Sequence, residues 1–242
     1  MGDARPVVQR EVVSFVRRSA RMNPSQEKAW RDHADWVLRV PTGQRSTSVA
    51  PDAHLDWADA FGRRAPLVVE VGGGTGDVIA AVAALHPERN HVAFEVFEPA
   101  VASTLSKCAR AGVDNVRVVV ANGVEGLTTL IPDAALAELW TFFPDPWPKK
   151  RHHKRRLVSP AFAALAARKL AADGVWRLAT DDPGYAEAIR AVLDAEPALV
   201  NRFDGWAPRW QDRPHSRYEA KGIAAGRAIR DLCYGIREGV RQ

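Results

Sequence analysis

Two carboxylates flanking a glycine run carry the first chemical signal in this sequence. Glu70-Val71-Gly72-Gly73-Gly74-Thr75-Gly76 closes an apolar run that begins at Leu67. Glycines permit a tight turn and let a ligand approach the main chain closely. A dinucleotide fingerprint requires G-x-G-x-x-G, and starting from Gly72 its third glycine would fall on Asp77. The spacing fits G-x-G-x-G instead, through Gly72, Gly74 and Gly76. An Asp where a helix should begin would repel a pyrophosphate, so the expected ligand lacks one. Glu95 stands nineteen residues beyond Gly76, near the end of the next apolar run, where a carboxylate can accept from both hydroxyls of a ribose. Glu70 is the expensive residue, because a carboxylate at the end of a buried strand needs a cation or strong donors. A glycine turn with two capping carboxylates is the alternative reading.

The second signal is Phe142-Phe143-Pro144-Asp145-Pro146-Trp147-Pro148, followed by eight consecutive basic or imidazole residues from Lys149 to Arg156. Three prolines stiffen this passage, and Asp145 is held between two of them. Trp147 offers a flat face for a base, and the basic run offers phosphate contacts through Lys149, Arg151, Lys154, Arg155 and Arg156. A solvated charged loop or a nuclear-localisation signal would leave Asp145 and Trp147 without a purpose. Asn122 follows a third apolar run, where it can accept a hydrogen bond or simply open a turn before Gly123. No His, Cys and Asp cluster has metal-ligand spacing and no Ser-His-Asp arrangement is present, so neither a metal nor a covalent intermediate is expected.

These residues need a frame. Short apolar runs at 67–71, 91–97, 116–121, 136–143 and 174–180 read as strands, and helices fit 77–85, 99–111, 160–170 and 183–194. The alternation predicts an α/β doubly wound, mostly parallel sheet whose ligands bind beyond the carboxyl ends of the strands. Upstream, Glu11–Arg18 reads as a short helix and a second helix runs from Pro24 through Trp36-Val37-Leu38, giving an arm over residues 1–60 and a main domain over 61–242. At 242 residues and 46% hydrophobic, the chain can bury a full core. The N-terminus is charged where a signal peptide would be apolar, no apolar run is long enough to span a bilayer, and two cysteines are too few for a disulfide framework. A reduced, cytoplasmic protein is expected, with monomer or homodimer undecided. Charge is uneven. Residues 1–31 sum to +4, residues 149–156 to +6 and residues 202–242 to +4 against +5 for the whole chain, so the remainder carries −9. Basic arms and a basic loop imply a polyanionic partner.

In combination, these motifs resemble the tRNA (guanine-N7)-methyltransferase family, within the class I S-adenosylmethionine-dependent methyltransferases. The family's mark is PDPW followed by an RHxKRR-like stretch, here Arg151 to Arg156. Ser14-Phe15-Val16-Arg17-Arg18, with Arg21 and Gln26, resembles its leader; Ala179-Thr180-Asp181 its ATD element; and Ser216-Arg217-Tyr218-Glu219 its T-x-F/Y-E motif, with Ser for Thr. The resemblance implies a Rossmann-like sheet of seven strands, S-adenosyl-L-methionine as cofactor, and tRNA as partner, methylated at the variable-loop guanosine at position 46. It implies that Glu70, Gly72, Gly74, Gly76, Glu95, Asn122 and Asp145 line the cofactor pocket and active site. Lys149, Asp181, Ser216, Arg217, Tyr218 and Glu219 fall at substrate-contacting positions. Asn122 departs from the usual Asp that meets the adenine amino group, although its carbonyl can still accept.

N7 of guanine has a lone pair and no proton, so its attack on a methyl group needs orientation and charge stabilisation rather than a strong base. Asp145 is the expected catalytic carboxylate, with Asp181 or Glu219 as helpers. Asp181 also reads as a helix cap, and Glu219 as a surface partner of Arg217 or Lys221. Two rival readings remain: a class I methyltransferase acting on a small molecule or protein, and a non-catalytic RNA-binding protein on the same fold.

Overall fold

The computed structural model describes residues 21–239; the expected helix Glu11–Arg18 and leader residues Ser14 to Arg18 lie outside them. One sheet holds eight strands, β1 (Val37–Leu38), β2 (Leu67–Val71), β3 (Asn90–Glu95), β4 (Val116–Val120), β5 (Leu136–Phe142), β6 (Leu170–Thr180), β7 (Leu199–Asn201) and β8 (Arg230–Ile236). Their order is β1-β4-β3-β2-β5-β6-β8-β7. All neighbours run parallel except β8, which is antiparallel to both β6 and β7. The helices are α1 (Pro24–Asp32), α2 (Trp57–Phe61), α3 (Asp77–Leu85), α4 (Glu98–Ala111), α5 (Gly123–Leu130), α6 (Pro160–Lys169), α7 (Pro183–Asp194) and α8 (Arg217–Ala224).

Two expectations need correction. The sheet has eight strands rather than seven, and the surplus strand is the segment expected to end a helix. Helix α1 stops at Asp32, Ala34–Trp36 form a 3-10 turn, and Val37 and Leu38 pair in parallel with Val118 and Val119. An edge strand offers unpaired main-chain groups, and β-branched Val37 suits a pleated surface better than a helix end. The start of α1 does follow local chemistry. Asn23 and Gln26 form a reciprocal capping box around Pro24.

Both faces of the sheet are covered, which explains why the central strands read as unbroken apolar runs. Along β2, Val69 joins a core with Leu127, Phe162 and Ile189 of α5, α6 and α7, whereas Val68 joins another with Ile79 and Leu105 of α3 and α4. Helix ends follow their caps: Gly112 (φ 67) closes α4, Ser159 accepts from Phe162 N–H ahead of α6, and Asp182 accepts from Tyr185 N–H ahead of α7. Among the described residues, no helix is long and apolar enough to cross a membrane, and no group of three His, Cys, Asp or Glu could hold a metal ion.

Helix α8 is tied to β8 by buried ions. Arg213, 1% exposed, donates to Asp231 at 2.7 Å and to Glu219 at 3.3 Å, and Arg209 donates to Glu219 at 2.7 Å. Removing one partner from such a cluster strands the others. Arg213→Met should therefore destabilise the fold by about 3–5 kcal/mol in urea unfolding, and a loss below about 1 kcal/mol would show that water reaches the cluster.

Candidate functional site

The chain leaves β2 toward β3 and β4 on one side, and later returns to build β5 and β6 on the other. A crevice opens at such a reversal, beyond the carboxyl ends of the strands. The residues singled out from the sequence stand along this edge in spatial order: Asn122 after β4, Glu95 at the end of β3, Glu70 in β2, Asp145 after β5 and Asp181 after β6.

Gly72, Gly74 and Gly76 all adopt positive φ, at 75°, 53° and 74°. Gly76 is also sterically required, because a Cβ there would lie 2.5 Å from the Thr104 hydroxyl of α4. Glu95 braces the turn: Oε2 accepts from Gly74 N–H at 2.9 Å, and Oε1 accepts from the N–H groups of Val96 and Phe97 at 2.7 and 2.9 Å. Burial raises the Glu95 carboxyl, and these three donors oppose the rise. Glu70 has no such help. It is 4% exposed, and among the described residues its Oε2 has no hydrogen-bond partner. Burial, followed by the charges of Glu95 and Asp77, pushes its carboxyl up to about 8. A pocket with an orphaned acidic oxygen beside a second carboxylate suits a cationic ligand.

One feature here was not legible in the sequence. Asp77, at the start of α3, is paired with Lys107 Nζ at 2.6 Å, so the helix start is not a bare negative charge. Lys107 comes from α4, thirty residues away, and no local pattern announces it. Asn122 caps α5: its Oδ1 accepts from Val124 N–H at 2.9 Å and Glu125 N–H at 3.3 Å, and its own N–H donates to the Thr47 carbonyl. The turn role and the acceptor role therefore meet on one oxygen.

The turn after β5 is held in an unusual shape. Phe143 and Trp147 have φ of 51° and 43°, a region in which side chains other than Gly are strained. Tertiary contacts fix it. Phe143 N–H donates to the Ala179 carbonyl of β6 at 2.8 Å, and Arg156 Nε donates to the Pro146 carbonyl at 2.9 Å. The Arg156 guanidinium lies 4.7 Å from the Tyr185 ring centre, and that of Arg155 lies 4.9 Å from Trp147. One face of Trp147 is thus covered by Arg155, with His152 against its edge, and is not open to a base. Its Nε1 is buried without a hydrogen-bond partner among the described residues. Asp145 is exposed at the tip and close enough to contribute to the raised Tyr185 phenol, whose main cause is burial. Lys149, Arg151 and Lys154 are exposed on the 3-10 turn Lys150–Arg155 and its cap, whereas Arg155 and Arg156 are half-buried by their stacking.

Asp181 does not cap α7; Asp182 does. Asp181 accepts from Arg227 Nε at 2.8 Å, and a Cβ on Gly222 of α8 would touch it at 3.0 Å, so α8 lies directly over it. Ser216 caps α8 by accepting from Glu219 N–H. Glu219 is not a surface partner of Arg217 or Lys221. It is fully buried, where desolvation would raise its carboxyl, but Arg209 and Arg213 overcome that and hold it below the usual range. Arg217 and Tyr218 are exposed. Gln26 of α1 donates to Pro99 O and Ser103 Oγ of α4 at 2.8 and 3.0 Å. Beside that lock, a polar cavity of about 340 Å³ is lined by Asn23, Thr75, Asp77, Lys107, Arg110 and Arg217.

Comparison with known proteins bears on this edge. Residues 64–232 match the family model described as "Putative methyltransferase". A tRNA (guanine-N(7)-)-methyltransferase from Cutibacterium acnes is 53% identical, over 94% of this chain and 84% of that protein. One from Nocardioides sp. is 45% identical, over 96% and 90%. Among solved structures, the 16S rRNA methyltransferase KamB superposes with a TM-score of 0.54 at 15% identity, covering 82% of this chain and 99% of that one. A 16S rRNA (adenine(1408)-N(1))-methyltransferase from Catenulisporales acidiphilia, with SAM as cosubstrate, gives 0.52 at 15% identity, over 84% and 98%. At that identity the structural likeness speaks for the fold.

Glu70 makes a pH-dependent contribution to stability. The folded state keeps its proton up to about pH 8, whereas a chain with the ordinary value of 4.5 releases it far earlier. The contribution is therefore fully favourable below about 4.5 and is lost as pH rises toward 8. Thermal unfolding without ligand should show Glu70→Gln raising Tm more at about pH 8.5 than at pH 5. Equal shifts at both would mean that the carboxyl is ionised throughout.

Proposed function

Because the chain belongs to the tRNA (guanine-N(7)-)-methyltransferase family, we propose that its target is the variable-loop guanosine at position 46 of tRNA, modified in the cytoplasm. The reaction itself is transfer of a methyl group from S-adenosylmethionine to N7 of a tRNA guanine. When bound, the cofactor supplies an electrophilic methyl group on a cationic sulfur. The observation that carries the site assignment is the orphaned Glu70 oxygen beside Glu95, a pair that a ligand bearing a sulfonium and an ammonium would neutralise.

In this reading, Gly72, Gly74 and Gly76 keep the floor free of side chains, and Glu70 takes up the cationic end of the cofactor. Glu95 uses its remaining acceptor capacity on the ribose. Asn122, whose oxygen already caps α5, meets the adenine chiefly through its amide nitrogen. Residues 61–242 act as the methyltransferase domain. Residues 1–60 act as an arm whose Val37, Val49 and Ala53 are buried with its cores.

Asp145, in the turn after β5, the strand adjoining that of Glu70, is the catalytic carboxylate. As N7 bonds to carbon, positive charge spreads over the purine and its N1–H and amino group become stronger donors. A carboxylate that accepts from them binds the transition state more tightly than the ground state. Asp181, just after β6, the next strand, assists. Glu219 cannot, because it is buried against Arg209 and Arg213; its role is to fix α8 behind Asp181. Arg217 and Tyr218 remain on α8 to meet the substrate, as do Lys149, Arg151 and Lys154 on the basic turn.

Asp145→Asn should slow single-turnover methylation by about 10²-fold while leaving S-adenosylhomocysteine affinity, measured by calorimetry, within about threefold. An unchanged rate would remove Asp145 from the chemistry. Nucleoside mass spectrometry and cleavage mapping of treated tRNA should find 7-methylguanosine at position 46, and modification elsewhere would refute that position.

A further inference from the structure

Helix α4 reaches the glycine turn with two side chains one helical turn apart. The buried Thr104 hydroxyl, against which Gly76 packs, faces the carbonyls of Ala100 and Gly74 at 3.1 and 3.4 Å. Three residues on, and so on the same helix face, Lys107 Nζ donates to Asp77 Oδ1 at 2.6 Å and to Thr75 Oγ1 at 3.2 Å. The Thr75 hydroxyl in turn donates to Asp77 Oδ2 at 2.8 Å. Three side chains thus close a ring around Gly76, which starts α3 and has no side chain with which to cap it. Both Asp77 oxygens are engaged, and the ion pair is half-buried, with 24% of the Lys107 side chain and 30% of the Asp77 side chain exposed. Glu70 lies under the same turn: a Cβ on Gly73 would stand 3.4 Å from its Oε2.

We infer that Lys107 is a positioning residue for the cofactor pocket, pinning Asp77 and offsetting its charge beside Glu70. The inference rests on Glu70 taking up the cationic end of the cofactor. Without its ammonium partner, Asp77 would be a third uncompensated carboxylate around one turn, with Glu70 and Glu95. Acids that share a desolvated site hold on to protons, and a cationic ligand must then displace them. The charge of Asp77 already adds to the rise of the Glu70 carboxyl, after burial and Glu95. A further titratable neighbour, Cys108 on α4, stays a neutral thiol, pushed up to about 12 chiefly by burial. Below about pH 8, a ligand that needs Glu70 ionised expels its proton, so affinity rises with pH and levels off near that value. Removing the Lys107 ammonium moves the levelling-off point upward. A strut that only packed α4 against α3 would leave that point where it is.

The test is calorimetry with S-adenosylhomocysteine between about pH 6 and pH 10, with a carbon-13 NMR titration of the Glu70 carboxyl in ligand-free protein alongside. Lys107→Met should raise the Glu70 midpoint by about one pH unit and weaken binding about 10-fold at about pH 7. The two proteins should converge in affinity above about pH 9. Lys107→Arg keeps the charge and should stay within about threefold of the wild type. Asp77→Asn should lower the midpoint, and in that background Lys107→Met should change neither midpoint nor affinity. Titration of the ligand itself is common to every variant and cancels in the comparison. Wild-type behaviour of Lys107→Met would overturn the inference. So would a loss of affinity that is equal at every pH, or one that persists beside Asp77→Asn. A protein that shows the expected effects yet leaves no 7-methylguanosine in tRNA would defeat the proposed function and spare the role of Lys107. Methylation with S-adenosylhomocysteine affinity indifferent to Lys107 would do the reverse.

Discussion

A buried and a half-buried carboxylate on adjacent parallel strands, with a glycine turn between their tips, set the terms for the rest of this molecule. Glu95 resolves its burial through three main-chain N–H groups, and in doing so makes the turn after β2 rigid. Glu70 does not resolve its own. It retains a buried oxygen with no donor among the described residues and a carboxyl pushed up to about 8. A fold does not keep such a deficit without a compensating partner. A cationic ligand is the kind of partner that would answer it, and Glu70 stands at the reversal of strand order, where a crevice opens.

Beyond β5, cations shape the main chain. Arg156 joins the strained Pro144–Trp147 turn to Tyr185, and Arg155 lies on Trp147. The run from Lys149 to Arg156 is thus divided: the half-buried arginines shape the turn that bears Asp145, and the exposed Lys149, Arg151 and Lys154 face outward. A stacked guanidinium keeps its charge, so both sets still contribute to the potential that draws in a polyanion. The same division holds on α8. Ser216 and Glu219 face inward, capping and anchoring the helix, and Arg217 and Tyr218 face solvent.

Much of this was legible because it is locally encoded. Strand and helix alternation, Gly112 at the end of α4, Ser159-Pro160 before α6 and Asp182-Pro183 before α7 are short-range signals with short-range causes. The glycine spacing and the proline-locked Asp145 likewise report backbone constraints that neighbours in sequence impose. Where the reading failed, long-range partners decided. Val37 and Leu38 became a strand because the edge of β4 offered hydrogen bonds. Lys107 neutralised Asp77 from another helix. Arg155 covered the Trp147 face that seemed free for a base.

By itself, then, the sequence determined the α/β alternation, the glycine turn, the family and the order of the candidate carboxylates along the chain, since each depends on spacing within a few residues or on motifs. Tertiary structure alone decided which side chains face the cleft and which face the core. Burial and ion pairing depend on residues brought together from distant segments: Arg209 and Arg213 hold Glu219 in the interior, and the meeting of α5 with α6 opened a basic groove that no single segment encodes.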